Sequence, residues 1–161
     1  LTFVKYEAEF LDIYNNLVEI PDPDKKKHKE VREEAIEKGR SDGLKPTEIT
    51  WTPPIIEADF GQIICWFANN VGIWNLDENN KSVFSNPESV GYALKAIRAF
   101  QSNTNGLVTI EEKALDWLKG QLNEHGSKAF TGVTSALLLE RLSDVVEGEP
   151  PKPNGRKPEA I

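Results

Sequence analysis

The sequence has no methionine, a single cysteine, and no apolar run near the roughly 20 residues that span a bilayer. One cysteine excludes an intramolecular disulfide and any cysteine-built metal cluster. Cys65 lies inside Ile-Ile-Cys-Trp-Phe and reads as a small core residue rather than a nucleophile. Positive charge is also scarce, with 19 Lys and Arg against 26 Asp and Glu and a net charge of -7. A chain built mainly to neutralise phosphates needs clustered cations, so this balance argues against that class. The first residues lack the basic-then-apolar order of a secretory signal, which makes a cytoplasmic protein, or a virion-associated one if viral, the expectation. Sustained apolar/polar alternation is missing beyond a few residues around Ile49 to Trp51, and with it the usual mark of strands. A phosphate-binding glycine loop, a His-x-x-x-His pair and nucleophile-base spacing around His28 or His125 are absent as well. No enzymatic activity and no cofactor are expected.

What the chain does hold is apolar residues at helical spacing, in a length that buries a core of its own. Phe10, Ile13, Tyr14 and Leu17 predict a helix over 4–18, which Pro21-Asp-Pro23 ends. A second helix, 24–38, starts on Asp24 as its cap and has little to bury. Together these form an expected N-terminal helical pair, 1–38. Gly39, Gly43, Pro46, Pro53 and Pro54 make 39–56 a connector. The strongest stripe is Phe60, Ile63, Ile64, Phe67, Val71 and Trp74, predicting a central helix over 57–74. Further helices are predicted over 88–100 (inner face Val90, Leu94, Ile97, Phe100), 110–123 (Ala114, Leu115, Leu118, Leu122) and 133–146 (Val133, Leu137, Leu138, Leu142). The predicted fold is all-α, a compact bundle of five to six helices with its core in 57–146. Residues 147–161 are crowded with Pro and Gly and predict a disordered tail.

Two stretches share one local grammar. Asp77-x-Asn79-x-Lys81 leads to Ser85-x-x-Glu88, and Gln101-x-Asn103-x-Asn105-Gly106 leads to Thr109-x-x-Glu112. Ser or Thr followed three residues later by Glu is the pattern of a capping box, which satisfies N–H groups at a helix start. Two capping boxes are therefore expected, at Ser85/Glu88 and Thr109/Glu112, with Asn105-Gly106 supplying left-handed conformations that stop the preceding helix. The second stretch also resembles an EF-hand loop, with Asn103, Asn105, Gly106, Val108, Thr109 and Glu112 at its third, fifth, sixth, eighth, ninth and twelfth positions. That resemblance implies a calcium site built on Asn103, Asn105 and Glu112. Gln101 stands at the first position in place of Asp, leaving Glu112 as the only ionised ligand.

Other likenesses cover shorter patterns. Ile110-Glu-Glu, Leu118, Leu122-Asn-Glu-His-Gly126, Gly132 and Leu137-Leu-Leu-Glu-Arg141-Leu142 give residues 109–142 a form that resembles a SAP-type helix-extension-helix module. Such modules usually bind DNA. Ala99-Phe100-Gln101, Gly106-Leu107 and Trp117 resemble peptidoglycan-binding domains, without their central Asp-Gly. Glu30, Glu33, Glu34 and Glu37 resemble the carboxylate rows of all-α nucleotide pyrophosphohydrolases, and interleaved with Lys29, Arg32 and Lys38 they read as a solvated face of ion pairs.

The surplus of large apolar residues points to binding. Trp51, Trp66, Trp74 and Trp117 are candidate interaction anchors, because aromatic side chains are enriched at interface hot spots. The expected function is a non-enzymatic protein-protein interaction or assembly module, of the accessory kind that phages and viruses encode, with a protein partner or self-association and no membrane. The alternative is nucleic-acid binding through Lys25, Lys26, Lys27, Lys29 and Arg32, since residues 25–45 hold eight Lys and Arg against five acids.

Overall fold

A computed structural model describes residues 1–146; the predicted tail, 147–161, lies outside the described residues. The elements run β1 (Thr2–Lys5), β2 (Val18–Pro21), α1 (Lys25–Ser41), β3 (Ile55–Ala58), α2 (Phe60–Asn70), α3 (Pro87–Gln101), β4 (Leu107–Ile110), α4 (Glu112–Ala129), α5 (Gly132–Leu142) and β5 (Val145–Val146). Short 3-10 turns occupy Pro46–Glu48, Val71–Ile73 and Val83–Ser85. The fold is mixed α/β, with five helices and five strands in two antiparallel sheets among the described residues, which overturns the all-α expectation.

The expected helix 4–18 is the largest correction. In its place β1 forms the middle of a sheet ordered β4-β1-β5, and β2 pairs with β3. Opposite residues Val4 and Val108 are both fully buried, which fixes the register of β1 on β4, because a one-residue slip would turn both valines to the other face. Strands of two to four residues are too short to write a period-two signature, and here each pairs with a partner far along the chain. The predicted helix over 133–146 likewise stops at Leu142, and Val145–Val146 turn back to pair with Phe3 and Val4.

The helices of the second half lie close to their expected places. α2 carries the deepest side chains, burying Phe60, Ile63, Ile64, Phe67 and Ala68, and it packs on α3, which packs on α4, which packs on α5. Gly126 lies where α4 approaches α5 so closely that a Cβ would run into Ser135. The inner face of α3 is rotated from the expected one. Ser89, Ala93, Ala96 and Phe100 are buried, while Val90 and Leu94 are 44% and 43% exposed. Small residues there let α3 sit close to its neighbours, an advantage that hydrophobicity alone does not display.

Neither expected capping box forms. Ser85 closes a 3-10 turn, and Asn86 caps α3 through its side-chain oxygen, which accepts from the Glu88 N–H at 2.9 Å. Pro87, at the first helical position, gives up an N–H that has no intrahelical partner there. Thr109 is held in β4 opposite Phe3, so its backbone belongs to the sheet. The capping box that does form is Asp59 with Gln62 at the start of α2, its two hydrogen bonds measuring 2.8 and 3.0 Å. Asp24 caps α1 as expected.

Arg141 ties the two ends of the described chain together. Its guanidinium donates to the carbonyls of Glu7 (2.7 Å) and Glu9 (3.2 Å) and lies 4.7 Å from the centre of the Phe60 ring. By contrast α1 buries only Gly39, against which Ile49 of the connector packs.

Candidate functional site

Two surface features stand out, a rigid apolar turn and an amide-lined cleft. The turn joins β1 to β2. Asp12 organises it, its carboxylate accepting from the N–H groups of Tyr14 (2.9 Å) and Asn16 (3.0 Å). The Asp12 N–H donates to the Asn16 carbonyl at 2.9 Å, and the Asn15 N–H donates to the Asp12 carbonyl at 3.0 Å. Asn15 adopts φ 60°, a conformation that asparagine tolerates better than most residues. Leu11 and Leu17 bridge beneath, so the five-residue tip is locked from within. It presents Tyr14 at 81% exposure and Ile13 at 59%.

The cleft, of about 860 Å³, lies on the solvent face of α2. Gln62, Cys65, Trp66, Asn69 and Asn70 form its floor, three and four residues apart along one side of the helix. One wall is Ile20 to Pro23 with His28 of α1, and the other is Tyr6 with the C-terminal end of α3, including Phe100 and Gln101, and then Asn103. Tyr6 seats directly over the first turn of α2, where a Cβ on Gly61 would come within 2.9 Å of its hydroxyl. Trp66 is held edge-on by Trp74 and Phe130, each with its ring centre 5.6 Å away.

Most titratable groups of this cleft are engaged, and Lys25, exposed at its edge, is not. Burial, then the nearby Asp59 carboxylate, pushes the Cys65 thiol up to about 11, and its Sγ lies 3.6 Å from the Ile97 carbonyl. Burial and Asp59 also raise the Tyr6 phenol. Asp59 is spent on capping α2, and Asp22 pairs with Lys27 at 3.4 Å. His28 Nε2 lies 2.6 Å from the Asp22 carbonyl.

At pH 8 the native thiol is then ionised only to about one part in a thousand, and an unshifted thiol, with its ordinary value of 9.0, to about a tenth. Iodoacetamide is expected to alkylate Cys65 about a hundredfold more slowly in the native chain than in guanidinium; equal rates would show the thiol to be neither buried nor shifted. The linked stability runs the same way. Between pH 9 and about 11 the unfolded chain loses this proton and the folded one keeps it, so stability falls as pH rises through that window.

The sequence-selected residues scatter. Trp66, Trp74 and Trp117 are partly buried against the core, whereas Trp51 lies on the connector, 36% exposed and edge-on to His28 at 6.5 Å. The Trp117 indole N–H is buried with no partner among the described residues. Lys25, Lys26, Lys27, Lys29 and Arg32 are all exposed on α1, where Lys27 reaches Asp22 and Lys29 reaches Glu33.

Asn103 lines the cleft. Asn105 and Gly106, with φ of 53° and 72°, form a two-residue turn between Thr104 and Leu107, whose N–H and carbonyl groups bond reciprocally at 2.9 and 3.0 Å. The Asn-Gly pair thus serves the entry to β4, since α3 already ends at Gln101. Glu112 opens α4. No group of three or more His, Cys, Asp or Glu side chains among the described residues is placed to hold a metal ion. Among the same residues no helix is long and apolar enough to cross a membrane.

Sequence reasoning missed the exposure of Ile13 and Tyr14, having assigned them to a helix face. The one local signal was Asp12 with Asn15-Asn16, a turn composition inside an apparent helical period. Comparison with protein-family models, with curated proteins and with solved structures returned no match.

Proposed function

We infer that this protein is a non-enzymatic interaction or assembly module that engages another protein through the Asp12–Asn16 turn. The observation that carries the reading is the exposure of Ile13 and Tyr14 on a tip already held by four hydrogen bonds. An exposed aromatic costs little rotamer entropy to immobilise, and a preformed loop adds no ordering cost on association. The raised, buried Cys65 thiol and the use of Asp59 as a helix cap support binding over catalysis, because an activated thiol nucleophile requires a pKa lowered towards neutral.

The double variant Ile13→Ser, Tyr14→Ser is expected to keep its melting temperature, since neither side chain is in the core. It should lose association about 30-fold, the weight of a hot-spot aromatic of about 2 kcal/mol. Sedimentation velocity over a range of concentrations reads self-association, and a photo-crosslinker placed at position 14 reads other protein partners in extracts. A native chain that stays monomeric throughout and gives no discrete adduct would overturn the reading.

One observation favours a second surface. Four lysines crowd the first turns of α1 with no acidic residue in its first turn, where the helix dipole disfavours cations. Binding of nucleic acid there would weaken steeply with salt.

A further inference from the structure

We propose that the α2 cleft binds a short, uncharged, extended segment of a partner protein and reads its main chain with carboxamides. The proposal rests on the reading of the protein as an interaction module and names a second contact, separate from the Asp12–Asn16 turn.

Five amide side chains converge on the cleft, and each carries one carbonyl acceptor and one NH₂ donor, the same pair that a peptide group offers in reverse. Gln62 spends its oxygen on the Asp59 N–H at 3.0 Å and keeps its NH₂ group available. Asn70 spends an N–H on the Trp66 carbonyl at 2.8 Å and keeps its oxygen. Asn69, Gln101 and Asn103 are exposed and have no hydrogen-bond partner among the described residues. Donors and acceptors therefore face the same space from α2 and from the end of α3. An extended chain, whose N–H and C=O groups alternate along its length, can satisfy both sets.

Charge selects against other ligands. The two carboxylates at the cleft are committed, Asp59 to the cap of α2 and Asp22 to Lys27 and the Asp24 N–H. Lys25 also lines the cleft, so Lys27 offsets Asp22 and Lys25 offsets Asp59, and a ligand of either sign finds no net opposite charge to pair with. The aromatic floor of Trp66 and the Tyr6 wall supply apolar contact for side chains between the hydrogen bonds, and the volume lies within the range of sites that enclose a ligand of a few residues.

The test uses the intact chain as bait for a phage-displayed random heptapeptide library, with the selected peptides then titrated by intrinsic tryptophan fluorescence. Enriched peptides are expected to be uncharged at their contact positions and to bind with an affinity that raised salt leaves unchanged. The triple variant Asn69→Ala, Gln101→Ala, Asn103→Ala alters only exposed residues, and its melting temperature serves as the folding control. It should weaken the peptides at least ~tenfold, and the native side-chain NH₂ resonances of these three residues should shift on titration.

Failure to enrich any peptide, unchanged affinity in the triple variant, or NH₂ shifts that appear with maltotriose and not with the peptides would overturn the proposal. The Ile13→Ser, Tyr14→Ser variant should bind the peptides like the native chain. Tip-dependent association that persists without peptide binding therefore removes the cleft proposal alone, and peptide binding without such association removes the reading of the tip.

Discussion

Phe60→Ala is expected to lower the unfolding free energy by about 3–5 kcal/mol, the range for removing a fully buried aromatic. Phe60 is 0% exposed and is the meeting point of separate parts of the chain. Its ring lies 5.9 Å from Tyr6 and 6.0 Å from Phe10 in the N-terminal segment, 5.6 Å from Phe100 in α3, and 4.7 Å from the Arg141 guanidinium in α5. The cavity cannot collapse easily, because its walls belong to elements fixed elsewhere. Chemical denaturation checks the prediction, and the midpoint should fall with little change in slope. A loss below about 1 kcal/mol would mean that these walls relax into the gap, contrary to the packing described.

A chain that begins at residue 57 is expected not to fold. The periodicity of residues 57–146 suggests a self-sufficient helical core, and the structure distributes that core otherwise. β1 is the middle strand of its sheet, so its removal strips β4 and β5 of their only partner in that sheet and exposes Val108 and Ile110. Phe10 and Tyr6 leave the face of Phe60, and Arg141 loses both carbonyls that receive its donors. Far-UV circular dichroism with a thermal scan decides the matter. Residual helicity without a cooperative transition is the expected result, and a fragment that melts cooperatively would show the N-terminal segment to be an appendage.

Several elements were legible before any coordinates. The stripe from Phe60 to Val71 and the leucines of α4 and α5 repeat every three to four residues, Pro87 marks the start of α3, and helices of 11 to 18 residues carry enough turns to be recognised. Phe10, Ile13, Tyr14 and Leu17 show the same spacing by accident. Phe10 enters the core while Tyr14, four residues on, points to water, a divergence that no α-helix allows. Turn chemistry at Asp12 overrode the period.

The candidate site was less legible than the fold. Tryptophan content suggested anchors, yet Trp66 and Trp74 spend their surfaces on each other and on Phe67 and Phe130. A count of aromatics does not say which are satisfied by the core. The cleft was illegible for a different reason, since Ile20, Gln62 and Gln101 come from three elements and Tyr6 from the segment after β1, and they carry no shared spacing.

Helix positions, the Asp24 cap and the central standing of α2 follow from contacts between residues a turn or so apart, which any reader of the chain can count. The sheet, the rotation of α3, the placing of Asn-Gly as a strand turn and the assembly of the cleft depend on pairs separated by up to about the length of the chain, as Phe3 with Val146 shows. Whether those pairs form is settled by the free energy of closing long loops against the apolar surface they bury together. That balance is a property of the whole packed molecule, and no local window of the sequence contains it.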